Sequence, residues 1–118
     1  MKSDRGQVVT SEGREIASAV MRPRGFFGRA RGLLGRRGLA AHEGLWIDRC
    51  DSIHMFGMLF PIDVVFLRDG VVERVCPRVA PFQARWCRRA NAALELAHGS
   101  IERLCLEPQL KLEFRSAA

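Results

Sequence analysis

The residues from Ile53 to Leu67, IHMFGMLFPIDVVFL, constrain the fold more than any other stretch. They form the longest apolar run, and only His54 and Asp63 within it are strongly polar. Side chains alternate across a strand, so His54, Phe56 and Met58 are expected on one face and Ile53 and Met55 on the other. Both faces are apolar, which predicts a strand covered on both sides. Pro61 has no amide hydrogen to give to a ladder, so the run must break or bulge there. A second strand is predicted from Ile62 to Leu67. It opens on Asp63, a carboxylate in a segment that should be buried. Left unpaired there, it would cost several kcal/mol or shift its pKa.

The next signal is a hairpin. Asp69-Gly70 stands between apolar runs, and both residue types tolerate positive φ. With these two as the loop, Arg68 faces Val71, Phe66 faces Glu73, Val65 faces Arg74 and Asp63 faces Cys76. Asp63 and Arg74 then become diagonal neighbours about 7–8 Å apart. An ion pair, or a role capping backbone groups, is the structural expectation for Asp63.

Elsewhere the chain alternates between clear and weak signals. Residues 1–14 read as a polar tail leading into a strand near Glu15–Met21. In MRPRGFFGRARGLLGRRGL, Pro23 suits the first turn of a helix. Phe26, Phe27, Ala30, Leu33 and Leu34 fall on one side at helical spacing, which predicts a helix over about 23–36. Each interior glycine costs it about 1 kcal/mol relative to alanine, so it must dock its aromatic side to persist. Glu43–Ile47 reads as a short strand. From Pro77 to Asn91 the periodicity dissolves, and a loop of that length is often functional. Cys87 sits there among Arg85, Arg88 and Arg89, cations that favour thiolate. No neighbouring base completes a nucleophile, so a reactive surface thiol is expected rather than a catalyst.

Ala92–Leu96 is predicted as a strand. A helix over about 100–106 follows, capped at Gly99 or Ser100, with Ile101, Leu104 and Cys105 on its buried side. Gln109–Phe114 alternates as a final strand with Leu110, Leu112 and Phe114 inward, and 115–118 reads as a tail.

Length and composition bound the rest. The chain has 118 residues, enough for one domain with a real core, and 47% hydrophobic residues argue against disorder. The polar opening MKSDRGQVVTSEGRE does not resemble a signal peptide, and no apolar run is long enough to span a bilayer, so a cytoplasmic location is expected. None of the four cysteines pairs at C-x-x-C spacing, so free thiols are expected; a Cys50-x-x-x-His54 pair would need further ligands to hold zinc, and neither a metal site nor a cofactor is expected. The net charge is +6, and 17 of the 19 basic residues are arginine. That balance permits nucleic-acid binding without demanding it.

The order RARGLLGR (29–36), EGLWI (43–47), IHMFGMLFPIDVVFL (53–67), the Asp-Gly hairpin and LELAHGSIERLCL (94–106) resembles the domain of unknown function 192 family. The resemblance covers about residues 15 to 114. It implies a compact β-rich domain with a short helix on each side of the signature, and no activity. Family members often carry Thr, Phe and Arg where this chain has Met55, Gly57 and Leu59. Together these readings predict a mainly β fold, a small antiparallel β-sandwich or partly closed barrel with two short helices.

Three functions compete. The favoured one is a ligand- or protein-interaction module, its site lined by His54, Phe56, Met58, Pro61 and Asp63 with the 77–91 loop as a lid. The second is an enzyme using His54 as general base and Asp63 as partner; no nucleophile elbow, phosphate loop or metal motif accompanies them. The third is nucleic-acid binding through Arg24, Arg29, Arg31, Arg36, Arg37, Arg85, Arg88 and Arg89. Solvated faces explain such clusters more simply, and the aromatics of 23–36 sit on the presumed core side rather than between the arginines.

Overall fold

The structure is a computed structural model that describes residues 3–24 and 36–117. The described residues form nine strands: β1 Ser3–Thr10, β2 Glu15–Pro23, β3 Glu43–Asp48, β4 Ser52–His54, β5 Ile62–Arg68, β6 Val71–Val79, β7 Ala84–Trp86, β8 Ala92–Ala97 and β9 Leu112–Ser116. The single helix among the described residues is α1, Ser100–Arg103. Seven strands form one sheet in the order β6-β5-β8-β3-β2-β1-β9, while β4 and β7 make a separate two-stranded ribbon. All pairings are antiparallel except β2 with β3.

The large sheet curls into a half-barrel. Its two edge strands meet at the tip of the β5–β6 hairpin. There Val71 bridges Lys111, Val72 N donates to Leu110 O at 2.9 Å, and Leu112 N donates to Gly70 O at 2.8 Å. The inner face gathers Val8, Val20, Val65, Leu67, Leu94 and Leu112, with Ile101 of α1 plugging it. The outer face carries Leu45, Ile47, Val64, Phe66 and Ala93, covered by Ile53, Met55 and Met58. Because β5 and β8 are buried on both faces, their alternation is masked by continuous apolar sequence.

Several expectations are corrected. Residues 3–10 are a strand rather than a tail: β1 pairs with both β2 and β9, and Val8 and Val9 are buried. The helix expected over 23–36 does not begin at Pro23, which is the buried last residue of β2. Its remaining positions 25–35, with Arg29 and Arg31, lie outside the described residues. The stretch 77–91 is not all loop, since β6 runs through Val79 and β7 pairs with β4. Cys105, expected inside, is exposed beyond the end of a helix shorter than expected.

The Asp-Gly hairpin forms with Asp69 at φ 50° and Gly70 at φ 84°, and Arg68 faces Val71 as expected. Beyond that the register slips. Phe66 faces Arg74 and Leu67 faces Val72, which leaves Glu73 as an extra residue. A second bulge sets Pro77 and Arg78 against Asp63 alone, between the pairs Ile62–Val79 and Val64–Cys76. The bulge accommodates a proline that a regular ladder would reject.

Candidate functional site

Asp63 and His54 end on opposite sides of the sheet. Asp63 is completely buried on the inner face, and its carboxylate is saturated by backbone amides. Arg78 N donates to Oδ1 at 2.9 Å; Gly99 N and Ile101 N donate to Oδ2 at 3.1 and 2.9 Å. One side chain thus closes the β6 bulge and caps α1, whose own N-cap, Gly99, has no side chain to do so. The expected ion pair with Arg74 is absent because the Glu73 bulge moves that residue to face Phe66. His54 is exposed on the outer side, its ring edge-on to Phe56 with centroids 5.9 Å apart. The acid–base pair does not assemble.

The signature itself divides. Alternation holds only to Met55; a turn at Phe56-Gly57 follows, with Gly57 at φ 78° and Met58 N donating to Met55 O. Met58 therefore joins Met55 in the outer core, while Phe56 points to solvent. Pro61 is half-buried beside them.

The residues that do come together are aromatic. In the β4–β7 ribbon Ser52 faces Trp86 and His54 faces Ala84, so these four share the exposed side, and Ile53 is buried on the other. Met55 N donates to Gln83 O and Phe82 N to Met55 O, binding the signature turn to the loop before β7. Phe82 then stands edge-on to Phe56 at 5.8 Å, interplanar angle 90°. Phe56, Leu59, Phe82 and Trp86 are 67%, 61%, 72% and 63% exposed, and they are the exposed large hydrophobic residues of the described chain. All four lie on these two joined segments.

Phe82 is held there against its own preference. Gln83 N donates to Ala80 O, closing a turn over Ala80-Pro81-Phe82-Gln83, and Phe82 occupies the third position at φ 70°. That geometry suits glycine; a bulky residue there costs on the order of 1–2 kcal/mol.

Among the described residues, three arginines around the ribbon lack acidic partners. Arg74 donates to the Trp86 carbonyl, Arg85 to Ala84 O and Gln83 Oε1, and Arg88 is exposed. The other arginine candidates differ. Arg24 pairs with Asp4, Arg36 with Glu43 at 2.9 Å and Arg89 with Glu73 at 2.7 Å, while Arg37 is exposed.

One buried group escaped the sequence reading. Glu95 lies mid-strand in β8, between Leu45 and Val64 on the outer face, and is 7% exposed. Burial alone raises its carboxyl from 4.5 to about 7. The signal was present: a lone charge inside the apolar strand AALELA. A cavity of about 400 Å³ lies away from the aromatic residues and Glu95, lined by Arg5, Ser18, Arg115 and the Arg36–Glu43 pair. Among the described residues no cluster of His, Cys, Asp or Glu could hold a metal ion, and no helix is long and apolar enough to cross a membrane.

Comparison with known proteins now supplies a family. The profile of the domain of unknown function 192 family (DUF192, "Uncharacterized ACR") matches residues 7–114. The chain belongs to the DUF192 family. The DUF192 match begins inside β1, a strand whose polar sequence reads as a tail. Two solved structures are similar. One is a "putative transcription regulator" from Sinorhizobium meliloti, 26% identical, with a TM-score of 0.81 over 96% of this chain and 94% of that one. The other is a protein of unknown function from Novosphingobium aromaticivorans, 24% identical, with a TM-score of 0.80 over 94% and 84%. The second likeness shows the fold alone. No curated protein matches the chain.

Proposed function

We propose that this DUF192 domain is an interaction module that docks a macromolecular partner on the aromatic face formed by His54, Phe56, Phe82 and Trp86. The observation that carries the reading is the gathering of Phe56, Leu59, Phe82 and Trp86, each more than 60% exposed, on two segments that the fold binds together. Contiguous exposed apolar surface on a small domain marks an interaction site. The rings protrude instead of lining a cleft, which argues for a macromolecule over a small ligand. Of the expected site residues, His54 and Phe56 belong to this face. Met58, Pro61 and Asp63 support it from beneath or serve the fold. The likeness to a protein described as a transcription regulator fits a module that works by contact.

The test is photo-crosslinking in cells with benzoylphenylalanine at position 82, against the same residue at position 103 on the inner side. Adducts at 82 and none at 103 support the face. Equal adduct formation, or none at 82, removes it.

A further inference from the structure

We infer that the partner of this face is single-stranded nucleic acid, an inference that rests on the docking reading above. Three observations carry it. First, the rings are presented as a platform. His54, Phe56 and Phe82 form a continuous row with centroids 5.9 and 5.8 Å apart, and Trp86 rises from the same side of the ribbon as His54. Phe56, Phe82 and Trp86, each about two-thirds exposed, offer free surfaces on which bases can stack.

Second, three arginines around the rings, Arg74, Arg85 and Arg88, make no ion pair among the described residues, although Asp51 and the Arg89–Glu73 pair lie nearby. Arg74 and Arg85 spend hydrogen bonds only on carbonyl oxygens, including a side-chain amide, and Arg88 extends into solvent two residues beyond Trp86. Arg22, Arg24, Arg36 and Arg115 each meet a carboxylate, as does Arg89 beside Arg88, whereas Arg14 and Arg68 also bond only to carbonyls. Guanidinium groups left without acids beside aromatic rings match a strand of stacked bases and phosphates. Third, Phe82 occupies a glycine-type turn position, and its edge-on contact with Phe56 returns only part of that strain, since the residue is 72% exposed. Strain of this kind is retained where a side chain is needed in place.

Duplex DNA fits less well. Its bases are stacked on one another and offer no free faces to the rings.

The experiment is a titration of the intact chain with labelled oligothymidylate and oligouridylate, about 20 nucleotides each, at about 50 mM salt. Fluorescence anisotropy reads binding. Tryptophan emission reads contact, because Trp86 is exposed and Trp46 is 6% exposed. The expected result is binding with quenching, weaker for a duplex of the same length. Phe82→Ala and Trp86→Ala should each weaken it by about tenfold or more, while the melting temperature falls by no more than about 8 °C, the shift that about 1 kcal/mol gives a domain of this size. Arg88→Gln should reduce the salt slope by about one. The oligothymidylate and oligouridylate arms separate DNA from RNA as the source of the strand. Absence of binding at low salt overturns the inference, as does binding that ignores both ring substitutions. An acidic, phenylalanine-rich peptide that binds instead, and is lost in the same variants, overturns the nucleic-acid assignment and leaves the docking face standing. A dimer that dissociates in Phe82→Ala does the same. If neither probe binds and position 82 yields no adducts, both readings fall.

Discussion

Asp63 and Glu95 are buried carboxyl groups on neighbouring strands, one register position apart: Asp63 faces Leu96, and Glu95 faces Val64. They differ in which side of the sheet they occupy. Asp63 lies on the inner face and accepts three backbone amides. Glu95 lies on the outer face, where burial alone moves its proton affinity. The inner face is thus finished architecture, in which a buried charge is solvated by fixed dipoles. The outer face instead holds a carboxyl group that burial drives toward its neutral, protonated form. Polar satisfaction separates a structural acid from one held at a cost.

Removing Asp63 should have the largest effect. Asp63→Ala leaves three amides without their acceptor, and each charge-assisted bond is worth about 1.5–3 kcal/mol. A loss of at least about 4 kcal/mol is expected, read as a lower urea midpoint at constant slope. A loss under about 1 kcal/mol would put Asp63 in the same class as Glu95.

Glu95 should behave oppositely. Its folded carboxyl is raised to about 7, above the ordinary 4.5 of the unfolded chain. The stability it contributes is complete below pH 4.5 and is lost as pH rises to about 7, then stays level. The loss amounts to about 3 kcal/mol, because each tenfold change in proton affinity is worth about 1.4 kcal/mol. Glu95→Leu should therefore be more stable than wild type by about 3 kcal/mol at pH 8 and nearly equal to it at pH 4. Urea midpoints across that range measure this, and a wild-type profile flat between pH 4.5 and 7 would dissolve the comparison.

The exposed rings should matter least to stability. In Phe82→Gly, relief of about 1–2 kcal/mol of backbone strain offsets loss of a ring contact worth about 0.5–1.5 kcal/mol. The net change should stay within about 1 kcal/mol. Phe56→Ser loses the same edge contact without the relief, so a cost near 1 kcal/mol is expected. Larger losses in thermal unfolding would make these rings part of the core.

Much of this contrast was legible in part. The hairpin was readable because Asp69-Gly70 acts locally. That Asp63 would be buried, and held either by an ion pair or by backbone groups, followed from its place in an apolar run. Its partners did not, because two bulges, at Glu73 and at Pro77-Arg78, change the register that the hairpin alone would set. The polar sequence of β1 hid a strand flanked on both sides by others, since only Val8, Val9 and Thr10 of it are fully buried. The aromatic face was hidden by the turn at Phe56-Gly57, which ended an alternation that would have kept Phe56 and Met58 together. Trp86 and Phe82 gave no periodic signal, because a three-residue ribbon is too short to display one.

The pairing of β1 with β9 joins Gly6 to Ser116. A chain emerging from the ribosome therefore cannot complete its sheet until β9 has left the exit tunnel. Until then β1 has one unpaired edge, and the β5–β6 tip lacks its bridge to Lys111. Sheets built from such distant pairings fold slowly and expose their edges meanwhile. Both edges therefore stay open to other chains until Lys111 and the β9 residues are free to pair.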